Sequence, residues 1–160
     1  MPDSHPSPLA RALGRVPSGL FIVTSLLDGR PVGFVGSFVA QTGLAPPTIC
    51  VAIAKGRDHL LAIRQQQGFV VSVLDPQSQG AMGAFFKRRE DGSSPFDELS
   101  VRPAPSGPPI VTEALAWLDC RLASEHATGD HVVCFGEVEA GDCLREGDPS
   151  VHLRADGLSY

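Results

Sequence analysis

Residues 33–47 read Gly33-Phe34-Val35-Gly36-Ser37-Phe38-Val39-Ala40-Gln41-Thr42-Gly43-Leu44-Ala45-Pro46-Pro47. Phe34, Val35, Phe38 and Val39 can pack a sheet. Gly33, Gly36, Ser37, Thr42 and Gly43 interrupt it with small or hydroxylated positions. Glycine weakens a strand unless a bulge is needed or something must come close to the backbone. A flat ligand held by main-chain groups meets the second need, and a β-bulge or corner meets the first. Lys55-Gly56-Arg57, just ahead of Asp58, combines two cations, a flexible glycine and the free N–H groups of a helix start. That set suits a phosphate, and it equally suits a solvated turn with two surface cations. His131, in Thr128-Gly129-Asp130-His131, sits at a corner between two expected strands. A histidine there can bind an anion or position a substrate, or simply satisfy the polar groups of its turn.

Other chemistries find little support. Neither GxxxxGKS/T nor GxGxxG occurs, so neither a P-loop nor a Rossmann site is indicated. Ser37 is not in a GxSxG elbow. Glu90-Asp91 and Asp97-Glu98 fall in a polar loop and read as solvated. Cys50, Cys120, Cys134 and Cys143 show no CxxC pair and no metal-ligand spacing, so they read as structural thiols. His152, two residues before Arg154, repeats the His131 pattern more weakly, and His5, His59 and His126 carry no such pattern.

These residues need elements to hold them. A short helix is expected from residue 8 to about 14, and Pro17-Ser18-Gly19 breaks it. Residues 20–27 read as a buried strand, Asp28-Gly29 as a hairpin turn, and 31–39 as the return strand. Strands follow over 48–54 and 69–74. Between them runs a helix that Asp58 is expected to cap and Gly68 to end. A second helix is expected over 78–88 with Met82, Phe85 and Phe86 inward. Residues 90–109, rich in Pro, Ser, Gly and charge, form a long loop of the kind often tied to function. Strands over 115–124, 132–140 and 150–153 complete the set. Short turns predict antiparallel pairing, and closure into a small barrel would remove exposed edges.

The chain has 160 residues, 42% of them hydrophobic, which fits one soluble domain. Residues 1–8 are expected to be a disordered tail and 9–160 the domain. A net charge of −5 argues against nucleic acid and against an anionic membrane surface as partner. No apolar run approaches the roughly 18 residues of a spanning helix. The first residues lack a basic start followed by an apolar core, so a cytoplasmic location is expected.

Taken in order, several stretches resemble one family. They are Gly14-Arg15-Val16-Pro17-Ser18-Gly19, the 33–47 stretch, Lys55-Gly56-Arg57, Phe69-Val70-Val71-Ser72-Val73-Leu74 and Pro109-Ile110-Val111. Ala114-Leu115-Ala116-Trp117-Leu118-Asp119-Cys120, Gly129-Asp130-His131 and Gly136-Glu137-Val138 follow. Their order and spacing are similar to the flavin reductase-like family of FMN-binding split barrels, closest to the reductase module of diflavin flavoproteins. The likeness spans residues 9–160. It implies a mainly β fold, a six-stranded antiparallel Greek-key split barrel with short flanking helices, assembled as a homodimer. It implies an NAD(P)H-dependent flavin reductase using FMN, or alternatively FAD, with NADH or NADPH as reductant. Such an enzyme passes a hydride to flavin N5 and supplies reduced flavin or electrons to a monooxygenase or another acceptor.

The cofactor would lie against Val35, Gly36, Ser37, Phe38 and Val39, then Gln41, Thr42 and Gly43. Its phosphate would meet Lys55 and Arg57, with Arg154 and Tyr160 near the flavin. His131 would be the catalytic residue that lines the nicotinamide's entry, and no metal is implied. The chain departs from the family pattern at Gly36 and Phe38, usually Ala and Trp, and at Gly43, usually Ser. Two other readings stand beside this one. One is a flavin-binding or electron-carrying module without efficient NAD(P)H oxidation. The other is a split barrel that has lost FMN or binds another ligand such as haem.

Overall fold

The computed structural model describes residues 5–159. A short helix α1 (Pro8–Leu13) opens the domain, with the Ser7 hydroxyl accepting from the Ala10 amide at 3.2 Å. Pro8 thus already belongs to a helix, while residues 1–4 of the expected tail lie outside the described residues. Next come β1 (Ser18–Gly19), β2 (Phe21–Leu27), β3 (Arg30–Gly36), β4 (Val39–Leu44), β5 (Pro47–Ala54), α2 (Asp58–Gln66) and β6 (Gly68–Val73). The chain continues through a 3-10 turn (Pro76–Ser78), α3 (Gln79–Phe86), a second 3-10 turn (Pro95–Asp97), β7 (Val101–Pro103) and β8 (Pro109–Val111). A long hairpin of β9 (Ala116–Ala127) and β10 (His131–Cys143) follows, and then β11 (Val151–His152).

Seven strands form one antiparallel sheet in the order β3-β2-β6-β9-β10-β5-β4. Its two margins are neighbours in sequence. Gly36 pairs with Phe21 of β2, and the Phe38 carbonyl accepts from the Ala52 amide of β5 at 2.9 Å. Only Ser37 lies between, and one residue spans less than about 4 Å. The margins therefore meet at Ser37, and β3 and β4 are two halves of one bent strand. Counted that way, the ring has the six strands that the family resemblance implies. The single return strand read over 31–39 is instead split at this bend, where the chain changes partner.

The interior follows the alternation rule. Ile49, Val51 and Ile53 of β5 point inward with Val23, Phe69, Val71, Cys120 and Cys134. Gly136 lies at a register shift of the β9–β10 ladder. A Cβ there would come within 2.7 Å of the Phe69 ring, so the close packing requires glycine. Buried hydroxyls are satisfied: Thr24 donates to the Pro109 carbonyl at 2.6 Å and Ser25 to the Gly68 carbonyl at 2.9 Å.

The 90–109 stretch is more ordered than its composition suggests. Asp119 of β9 accepts from the Ser106 amide and hydroxyl, at 2.9 and 2.6 Å, and so ties this segment to the barrel. Asp28 and Gly29 form the expected hairpin turn, both with positive φ.

Several helix details differ from expectation. Asp58 does not cap α2; Arg57 occupies the cap position and no side chain caps it. Gln67, not Gly68, takes the left-handed turn that ends α2, because Gly68 is needed in β6, where a Cβ would strike the Cys120 carbonyl. The second expected helix is shorter, and Phe86 is 70% exposed rather than inward. Met82 and Phe85 pack against the core as expected, beside the buried Ala81 and Ala84. Among the described residues no helix is long and apolar enough to cross a membrane.

Candidate functional site

The bend at Ser37 opens a cavity of about 260 Å³. It is lined by residues 34–38, by residues 52–54 of β5, and by Arg57 and His59 at the start of α2. Phe34, Val35, Phe38 and Ile53 give it apolar surface. Gly36 keeps one wall shallow, since a Cβ there would lie 2.9 Å from the Phe34 ring. The only cation among the lining residues is Arg57, whose residue is exposed at the rim.

His59 is half-buried and its Nε2 lies 3.0 Å from the Gly33 carbonyl oxygen. A carbonyl only accepts, so Nε2 carries the proton and donates it. The imidazole also packs on Phe34, with ring centroids 4.8 Å apart. Burial holds its pKa below the ordinary histidine value; the Gly33 carbonyl opposes this and Arg57 reinforces it. The ring is neutral at pH 7.

A second cavity of about 210 Å³ shares Phe38 with the first and is lined also by Asp130, His131, Arg154 and residues 157–159. The His131 ring meets the Phe38 ring edge-on at 5.6 Å, and the Arg154 guanidinium stands over it at 4.9 Å. His131 Nδ1 lies 2.8 Å from an Asp130 carboxylate oxygen, so Nδ1–H donates to it. This hydrogen bond with His131 is the main cause of a lowered Asp130 pKa. Arg154 is placed by α1 and the residues just after it. Its amide donates to the Gly14 carbonyl at 3.3 Å, its carbonyl accepts from the Arg15 guanidinium at 2.8 Å, and the Gly157 amide donates to Ala10 at 2.8 Å.

The structure thus gathers Val35, Gly36, Ser37, Phe38 and Arg57 around one cavity, and His131 and Arg154 around the other, with Phe38 shared. Lys55 lines neither. Its amide donates to the Asp130 carbonyl and its ammonium to the Gly129 carbonyl, each at 2.9 Å, so it braces the β9–β10 corner. Val39, Gln41, Thr42 and Gly43 lie along β4 outside both cavities, and Gln41 and Thr42 are exposed. Tyr160 lies outside the described residues. Sequence reasoning missed Phe34 as a wall, the 52–54 wall and His59. The His59 signal was its place two residues after Arg57, on the first turn of the same helix. No cluster of metal-binding side chains occurs among the described residues.

The two cavities together fall within the roughly 300–1,000 Å³ of small-molecule sites. A shallow apolar slot with a cation at one end fits a flat ring bearing an anionic tail. Comparison with known proteins agrees with this chemistry. Diflavin flavoprotein A 1 of Synechocystis sp. is 33% identical over 156 residues, 96% of this chain but 27% of that protein. The chain therefore spans about a quarter of the diflavin flavoproteins it matches. The reductase subunit HsaB of a flavin-dependent monooxygenase from Rhodococcus jostii is 35% identical over 142 residues, 89% of this chain and 71% of that one. The structure of the NADH:FAD oxidoreductase SgcE6 of Streptomyces globisporus superposes with a TM-score of 0.81 at 25% identity, covering 96% of this chain and 95% of that chain. The family model described as flavin reductase like domain matches residues 13–157, and this chain belongs to that family.

Proposed function

We propose that the domain, residues 9–160, is an NAD(P)H-dependent flavin reductase that takes FMN in the cavity at the Ser37 bend. It hands reduced flavin or electrons to a partner, either a monooxygenase or another acceptor. The observation that carries this reading is a cavity whose lining combines the side-chain-poor Gly36 and Ser37, residues 52–54 and the cation Arg57. A bound flavin supplies the hydride-accepting ring; the protein binds, orients and shields it.

Phe34, Val35 and Phe38 supply apolar surface for the ring, and Arg57 faces the phosphate. A single rim cation favours FMN over FAD. His131, oriented by Asp130, and Arg154 line the second cavity beside Phe38 and guide the nicotinamide of NADH or NADPH onto the exposed face of the flavin ring, since hydride transfer needs the two rings in direct contact. Val39, Gln41, Thr42 and Gly43 border the tail of the cofactor in a homodimer, where β4 faces the other copy. The 83% exposure of Leu44 on that strand supports this assembly. The printed names of HsaB and SgcE6 support a monooxygenase partner and a nicotinamide reductant respectively.

The test is the visible spectrum of the protein with FMN or FAD, before and after anaerobic NADH or NADPH. Perturbed flavin bands that bleach with reductant are expected. Binding without bleaching would assign the chain to the electron-carrying class. No perturbation with either flavin would leave only the barrel.

A further inference from the structure

His59 stands apart from the residues that the family resemblance singled out, yet it lines the cavity beside Arg57. Its Nε2–H is committed to the Gly33 carbonyl at 3.0 Å, which leaves Nδ1 as the nitrogen open to protonation. We propose that His59 takes up one proton from solvent, at Nδ1, when a doubly charged phosphate monoester binds beside Arg57, so that binding and protonation are linked. This rests on the flavin reading above and adds to it a rule for which flavin is held and at what pH.

The surroundings of the ring explain the linkage. From α2 and its approach, Arg57 and Asp58 are the charged groups acting on it; Arg57 disfavours the imidazolium, and Asp58 favours it less strongly. From β2, β3 and the interior of α2, the residues that line a small gap with it are Val23, Thr24, Ser25, Val32, Phe34 and Ile63, none of them charged. Alone, then, the ring stays neutral in its half-buried slot. A dianion neutralises the effect of Arg57 and adds an attractive partner of its own, and an opposite charge within about 4–6 Å raises a histidine pKa by about 1–3 units. A phosphate monoester is close to fully doubly charged above its second pKa of about 6. A neutral ribityl end offers no such partner.

The experiment is isothermal titration of the full chain with FMN and, separately, with riboflavin, in buffers of differing ionisation enthalpy and across pH. For FMN, the binding enthalpy should depend on the buffer in the sense of proton uptake. Its Kd should weaken from about pH 7 to about pH 8.5, by about 3- to 20-fold for one proton taken up. Riboflavin should show neither effect. His59→Gln keeps an N–H for the Gly33 carbonyl but cannot titrate, and should flatten the FMN profile. FMN bound with buffer-independent enthalpy would overturn the proposal and leave the flavin reading standing. Equal pH profiles for FMN and riboflavin would sever the link to phosphate. Failure of both ligands to bind the native chain would remove the flavin reading and this inference with it. The wild-type comparison of the two ligands decides the matter even if the variant does not fold.

Discussion

The guanidinium of Arg57 reaches the cavity rim from the cap position of α2, held by no side-chain cap of its own. A charge-assisted hydrogen bond contributes about 1.5–3 kcal/mol. Arg57→Ala is accordingly expected to weaken FMN by about 10- to 100-fold and riboflavin by about 2-fold or less, read by fluorescence titration. Equal losses would remove the phosphate from that end. Lys55, whose ammonium is taken by the Gly129 carbonyl, is a bracing residue for the corner that carries His131. Sequence made these two look equivalent, because neither spacing nor type says which cation a distant carbonyl will occupy. His59 was illegible for a related reason. Its environment comes from Gly33, 26 residues away, and appears only once β3 and α2 are docked. The wall at 35–38 was legible, because glycine and serine inside an apolar strand leave a local mark.

At the scale of elements, the turn after β6 is fastened to the segment after β10 by Arg145. Its guanidinium donates to both oxygens of the buried Asp75, with Nε at 2.9 Å, and to the Glu113 carbonyl at 2.8 Å. Arg145 is the main reason the Asp75 carboxyl is pulled from 3.8 to about 2, with Ser78 and the Gln77 amide adding to it. Because the folded value lies below the unfolded one, this contribution to stability is complete above the unfolded value. It fades as pH falls from there through about 2. The urea midpoint of the native chain should drop across that window. Asp75→Asn should lower the midpoint at neutral pH and shrink the further drop on acidification; an unchanged acid limb would mean that other carboxylates carry it.

The strands of this barrel were readable as runs with period two, and the Asp28-Gly29 turn as a dipeptide signal. Helix ends were not. The end of α2 was misplaced because β6 claims Gly68 for a close approach to Cys120 that no local pattern reveals, and at its start Arg57 takes the cap position with no side-chain cap hydrogen bond. Phe86, too, looked like core by composition, but Ala81, Met82, Ala84 and Phe85 supply the packed side of that helix, and Phe86 is left exposed.

Across the whole molecule, the four thiols divide by depth. Burial pushes Cys120 up to about 12 and Cys134 up to about 11, while Cys143 is exposed and Cys50 partly so. A native chain treated with a thiol-specific disulfide reagent at neutral pH should release about one equivalent rapidly, from Cys143. Cys120 and Cys134 should react only on unfolding. Rapid reaction of all four would contradict the packed interior. The number of staves came from the family resemblance, and the manner of closure was not legible, since one strand serving two margins reads in one dimension as a single extended run.

That shared strand has a cost for anyone wishing to alter the guest. Positions 36–38 act both as hoop and as seat, so a change there that suits a bulkier visitor also slackens the join that keeps the vessel round. Retuning selectivity without loosening the vessel has to start from the opposite rim, at Ala52, Ala54 or His59.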